Sequence, residues 1–306
     1  MANQFKQMLL SALEKQCGPF KKLPDSQSLI EFMTGERLYL RYSKLHKKKV
    51  SFFGLRSVDL NELDGHRSFI CFFSDEELPV FIPYEDFEAV IHQSPLAADG
   101  QYKARLIYNQ DSYELYFPRV GYFNVNAYSG MESFSINKDQ RDLITNLSHS
   151  QAQTLIGSIG HLKGYGIYVP PNNVELLDWS LADRYQIVSS LPIYIEERTR
   201  FASEIDVVWI EYTQNAITAA FEVEHSTPIY SGLLRFNDVL LTCPGISRFF
   251  VVSNESRRDL FARQLQRPTF ERSGLNELTS FLDYTNIFKW HSRLASKFNA
   301  SEEHES

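Results

Sequence analysis

The chain has 306 residues, 43% of them apolar, and a formal charge of −7. That is enough for one large domain or two ordinary ones. The acidic balance excludes a global basic field, so any nucleic-acid contact must come from a local patch. No apolar run approaches the ~20 residues of a membrane span. The opening MANQFKQMLLSALEKQCG reads as an amphipathic helix without a cleavage signal. The three cysteines, Cys17, Cys71 and Cys243, form no CxxC; this excludes a disulfide framework or zinc knuckle and fits a reducing cytoplasm.

Taken in order, residues 1–35 predict two helices. Phe5, Met8, Leu9 and Leu13 lie on one face of the first, and Leu29, Ile30 and Met33 face inward in the second. The dense basic stretch GERLYLRYSKLHKKKVSFFGLR follows, with seven Lys or Arg against one Glu, a local +6. Lys47, Lys48 and Lys49 read as the tip between two strands. With Arg41, Lys44 and Arg56 they form a candidate phosphate-contacting surface; the alternative is a solvated charged hairpin. From 67 to 128 short strand patterns dominate (RSFICFFS, PVFIPY, YKARLIY, YELYFP, GYFNVNAY), with a short helix over 84–91. Residues 1–140 are thus predicted as a strand-rich α+β domain for DNA recognition or assembly, and the polar run 130–146 as the linker.

The second half opens with a helix over 151–162 and a strand over 164–169, with a further strand or irregular segment at 192–197. After the central stretch come a helix over 229–240 with Pro228 at its start, a strand over 248–253, and helices over 255–265 and 278–297. The tail from 296 to 306 is predicted to be disordered.

Ser203 to Leu241 holds the chemistry. Two β-like runs, 205–212 and 216–224, flank a turn at 213–215. On the second, Thr218, Ala220, Glu222 and Glu224 share one face. A hairpin centred on Gln214 places Asp206 opposite Glu222 and Glu204 opposite Glu224. Carboxylates this close repel, and charge in an apolar setting is costly. A hard divalent cation such as Mg²⁺ answers both problems; the alternative is solvated acids on an edge hairpin. A glycosidase pair, a Ser or Cys nucleophile and a phosphate-binding GxxxxGK[ST] loop find little or no support.

An aspartate opening one strand and E-x-E ending the next, followed by a helix and a strand, resembles the PD-(D/E)XK nuclease superfamily. The wording AAFEVEHSTPIYSGLLRFNDVL is similar to prokaryotic restriction-endonuclease-like members. The resemblance covers about 148–284. It implies an α/β fold, a restriction-endonuclease-like mixed sheet flanked by helices, over 147–295. Asp206 and Glu222 would hold Mg²⁺, with Mn²⁺ able to substitute, and Glu224 would stand where most members carry lysine. The helix that often bears a further acid offers Gln153, and Arg235 is read as a phosphate contact or an ordinary surface arginine. The implied activity is a restriction-type, Mg²⁺-dependent endonuclease on double-stranded DNA. Cutting both strands suggests a homodimer, and any methyltransferase or ATPase would be a separate chain. The alternatives are a DNA-binding or regulatory protein on a degenerate nuclease fold, and a structure-specific repair or recombination nuclease.

Overall fold

The computed structural model describes residues 2–24, 26–91, 93–109, 112–134, 146–192, 200–213, 216–243, 245–246 and 248–305. The chain forms two units, Met1–Gln140 and Arg141–Ser306. Most of the predicted linker and of the 192–197 segment lies outside the described residues.

The first unit begins with α1 (Ala2–Cys17), β1 (Phe20–Lys22), β2 (Leu29–Phe32), β3 (Arg37–Tyr42), β4 (Val50–Arg56) and α2 (Ser57–Asn61). It continues with β5 (Ser68–Phe73), β6 (Val80–Pro83), α3 (Tyr84–Ile91), β7 (Gln101–Tyr108), β8 (Tyr113–Phe117) and β9 (Gly121–Asn124). These strands make two sheets, β1-β2-β3-β5-β6 and β4-β7-β8-β9. Along β4 the alternation of the sequence becomes a face: Ser51, Phe53 and Leu55 are buried, while Phe52 and Arg56 are exposed. Phe53, Leu55, Leu106 and Phe117 of the four-stranded sheet share one core with Tyr39, Ile70 and Phe72 of the other. The opposite face of the five-stranded sheet buries Ile30, Phe32, Leu38 and Leu40 with Leu13 of α1.

Two expectations are corrected here. Residues 29–32 form β2, all four buried, in place of a second helix; Leu29, Ile30 and Met33 satisfy helical spacing, but four buried residues carry too little pattern to separate the two periods. The basic stretch is no hairpin either, because β3 pairs with β2 and β5, and β4 pairs with β7 in the other sheet.

The second unit comprises α4 (His149–Leu162), β10 (Gly166–Tyr168), α5 (Pro171–Val174), β11 (Val207–Glu211), β12 (Ala216–Val223) and α6 (Ile229–Thr242). Then follow β13 (Phe249–Ser253), α7 (Arg258–Leu265), α8 (Pro268–Ser273), α9 (Leu275–Leu278), β14 (Thr279–Asp283) and α10 (Tyr284–Glu305). Its sheet is mixed, in the order β10-β11-β12-β13-β14, antiparallel across the first two pairings and parallel across the last two. Helices cover both faces. Leu155 and Ile159 of α4 and Ile287 and Trp290 of α10 pack with Trp209 and Phe221, whereas Leu233 and Phe236 of α6 pack with Val208, Ala220 and Val251. The architecture is mixed α/β, as expected.

The predicted helix over 278–297 is wrong at its start, where 279–283 is strand β14. Every residue of β14 is buried, so it lacks the alternation that marks a half-exposed strand. The tail expected to be disordered from 296 runs on directly in α10. The α10 backbone stays helical to Glu305, through a sequence rich in helix formers with no Gly or Pro to stop it.

Candidate functional site

The hairpin of β11 and β12 assembles the acids. Val207 pairs with Phe221 and Val208 with Ala220, so the expected register holds at this end. It shifts by one between Trp209 and Ile210, nearer the turn. Asp206 lies just before β11 and continues the ladder through its side chain: Oδ2 accepts the Val223 N–H at 2.8 Å. Gln153 of α4 donates to the Asp206 carbonyl at 2.7 Å, so the helix that lacks a further acid still fixes the backbone of this one. Glu204 does not face Glu224; it is exposed in the turn before β11.

Glu222 and Glu224 are 0% and 1% exposed. Unpaired charge at such depth is untenable, and α6 supplies the partner. Arg235 donates from Nε to Glu222 Oε1 at 2.7 Å and from Nη2 to Oε2 at 2.5 Å, and Nη2 lies 3.6 Å from Glu224 Oε1. The helix can approach this closely because residue 232 is glycine, where a Cβ would meet Glu224 Oε1 at 2.4 Å. Thr227 donates to Glu224 Oε2. The backbone at the end of β12 is fastened as well: Ser253 donates to the Glu224 carbonyl at 2.6 Å, and Arg257 donates to the carbonyls of Glu224, His225 (3.0 Å) and Thr227 (2.6 Å).

Burial and the negative charges of Asp206 and Glu224 push the Glu222 carboxyl above its ordinary value, and the two-pronged bond from the Arg235 guanidinium opposes them and favours the carboxylate. The hydrogen bond to Glu222 in turn holds the Arg235 guanidinium protonated. His149, the first residue of α4, brings Nε2 to 3.6 Å from Asp206 Oδ1, and that carboxylate raises its imidazole above the usual range. A Ser148–Gln151 capping box fixes the helix start that carries it.

Among the described residues, no three His, Cys, Asp or Glu side chains converge as a ready metal-binding group; the Glu222 carboxylate is turned onto Arg235. The donor chemistry nevertheless fits a hard cation. Glu224 Oε1 is buried without a hydrogen-bond partner, which is the condition a cation would relieve.

Residues 132–297 match the family model described as the Type II restriction enzyme NmeDI C-terminal domain. The chain belongs to this family. No curated protein and no solved structure matches it. The restriction-enzyme family match spans more than half of the sequence and takes in His149, Asp206, Glu222, Glu224 and Arg235, while the basic stretch lies outside it.

In that basic stretch Lys44, Lys47, Lys48 and Lys49 are exposed, and Lys47–Lys49 form a tight turn closed by the bridge between His46 and Val50. Lys49 pairs with Glu77 at 2.7 Å and Arg56 with Asp59 at 2.7 Å. The Arg41 guanidinium lies 5.3 Å from the Tyr39 ring centre. The expected patch is thus divided between exposed lysines and arginines already engaged.

His149 joins the site without having been expected there. SHSQ does signal a helix start, yet no spacing rule brings His149 to Asp206 across a connection of more than forty residues. Arg235, read as a phosphate contact or a surface arginine, is the counter-ion of Glu222 in the metal-free protein. Arg235→Ala should therefore lower the stability of the metal-free protein by about 3 kcal/mol, the low end for breaking a buried pair, because Arg235 is 35% exposed. Denaturation in EDTA measures this. An equal loss in a Glu222→Gln background would show that the pair is not the cause.

Proposed function

We propose that the protein is a Mg²⁺-dependent, restriction-type DNA endonuclease whose second unit cuts. Family membership supports a nuclease. The observation that carries the metal reading is the buried Glu224 oxygen that accepts no hydrogen bond, on the same strand end as the buried Glu222. When bound, the metal would lower the pKa of its water and stabilise charge building on the phosphate. The residues of the chain do the rest. Asp206, oriented by the Val223 N–H, and Glu222 would hold the ion, and Glu224 would help hold it or orient the attacking water. Arg235, bonded to Glu222 in the metal-free protein, would be the cation available to a DNA phosphate once that carboxylate is engaged elsewhere. The Arg257 bonds keep the end of β12 from shifting as charge enters.

A second reading, a DNA-binding protein on an inactive nuclease fold, draws on the same ion pair, since Arg235 already neutralises Glu222. Supercoiled plasmid incubated with Mg²⁺, and in parallel with EDTA, separates the two. The nuclease reading expects metal-dependent nicks or linear product, whose ends can be sequenced. An intact plasmid at every Mg²⁺ and Mn²⁺ concentration favours the binding protein. Branched substrates cut in preference to linear duplex would point to a repair or recombination nuclease.

We further propose that the exposed lysines meet phosphate, that the active species is a homodimer, and that it works in the cytoplasm. Among the described residues no helix is long and apolar enough to cross a membrane. Neutralising Lys47, Lys48 and Lys49 together should weaken DNA binding for all sequences. The slope of log affinity against log salt should flatten by about 2, at roughly 0.9 per phosphate contact, because Lys49 is already held by Glu77. An unchanged slope removes this turn from the interface.

A further inference from the structure

The outer face of the four-stranded sheet in the first unit carries a row of side chains that packing does not explain. Phe52 of β4 is the register partner of Arg105 of β7, Arg105 of Tyr116 of β8, and Tyr116 of Tyr122 of β9. The row therefore crosses all four strands in line. The Arg105 guanidinium lies 5.5 Å from the ring centres of both Phe52 and Tyr116. The Tyr116 and Tyr122 rings are 4.8 Å apart, and His46 abuts the far side of Phe52 at 5.1 Å. Phe52 and Tyr122 are 50% and 63% exposed. Their strand neighbours Phe53, Leu106, Leu115 and Phe117 fill the core beneath, so the sheet is stable without apolar rings on its outer side.

Cross-strand aromatic pairs do add a little to a sheet, but that would not require an arginine between two rings. Lys103 and Arg56 stand on the same face of their strands, two residues from Arg105 and four from Phe52, but each is paired with an aspartate, Asp99 and Asp59, so Arg105 is the cation of the row. The face thus joins flat π surfaces to positive charge, the combination that binds unpaired nucleotides by stacking and by attraction to the backbone. Three inter-strand steps of ~4.8 Å make the row about 14 Å long, room for the two or three bases that aromatic side chains on a four-stranded sheet take up.

We propose that this face binds unpaired DNA nucleotides, either a short single-stranded segment or bases swung out of a duplex. The inference rests on the reading of the chain as a protein that acts on DNA, but not on its cutting any. Duplex DNA gives the lysine turn its phosphates, whereas the aromatic row requires exposed base faces.

The test is fluorescence anisotropy with the full-length protein in EDTA, so that no cleavage intervenes. The probes are a labelled single strand, its perfect duplex, and the same duplex with an internal unpaired loop. The single strand and the looped duplex should bind more tightly than the perfect duplex. Tyr116→Ala and Tyr122→Ala should each weaken them roughly tenfold with little effect on the perfect duplex, and Tyr116→Phe should restore binding. Both positions are on the outer face, and unchanged circular dichroism verifies the fold. Equal losses on all probes, or no loss on any, overturn the proposal. In that event plasmid cleavage by the same variants still reports on the nuclease reading separately, because the two readouts share no residue.

Discussion

Asp206→Ala and Glu222→Ala are each expected to lower Mg²⁺-supported cleavage by roughly a thousand-fold. A metal acting as a Lewis acid contributes several kcal/mol of transition-state stabilisation, and each 1.36 kcal/mol is a factor of ten in rate. DNA affinity should survive both changes, because phosphate attraction comes from cations elsewhere. It should even rise slightly for Asp206→Ala, as a negative charge is removed near the DNA. Glu222→Ala also releases Arg235, so Glu222→Gln, which keeps the side-chain volume, distinguishes lost chemistry from lost packing. Cleavage at the wild-type rate in both alanine variants would falsify the assignment of this cluster as the cutting site.

The second large effect is on stability, in the first unit. Glu31 of β2 and Arg37 of β3 are register partners, both buried, with Arg37 Nε 2.7 Å from Glu31 Oε2. Burial alone would raise the Glu31 carboxyl, but the Arg37 charge, with Lys21 behind it, overrides that and holds it down to about 2. A carboxyl lower in the folded than in the unfolded state stabilises above its ordinary value and loses that contribution as the pH falls. The first unit should therefore weaken between about pH 4.5 and 2. Arg37→Leu should cost about 3–5 kcal/mol at neutral pH by leaving a buried carboxylate without its guanidinium, and it should reverse the slope. The Glu31 carboxyl would then titrate above its unfolded value, so acidification toward pH 4.5 should recover part of the loss. Urea titrations of wild type and variant at neutral and acidic pH measure this; parallel pH profiles would exclude the ion pair as the origin.

What could be read from the sequence, and what could not, follows from how far each contact reaches along the chain. The acids at 206, 222 and 224 were legible because a hairpin is local; the bulge nearer the turn, which the sequence does not reveal, is what brings the pairing at the acids to the expected register. The strands of the four-stranded sheet were legible because one side of each faces water. β14 and β2 were not, since strands buried on both sides show no alternation. Arg235 was visible as a cation beside the motif, but its partner was not. That depends on how closely α6 packs on β12, which rests on the missing side chain at Gly232. His149 reaches Asp206 only through the tertiary fold. The same limit applies to the aromatic row in the first unit: Phe52, Arg105, Tyr116 and Tyr122 look like ordinary strand residues until the pairing order places them side by side.

The one-residue slip in the β11–β12 ladder has a consequence for how this hairpin can vary. Trp209 faces Ala219 and Ile210 faces Ile217, so Thr218 is the residue without an opposite number. The irregularity lies between the tip of the hairpin and the acids. On the tip side the strands are out of step with the side that carries the chemistry, and the bulge absorbs the difference. A lengthened or shortened tip can be accommodated there before it displaces Asp206 against Glu222. An engineer seeking a place to insert a tag or a tether in this half of the chain should begin at the same tip, where the arrangement below it stays in phase.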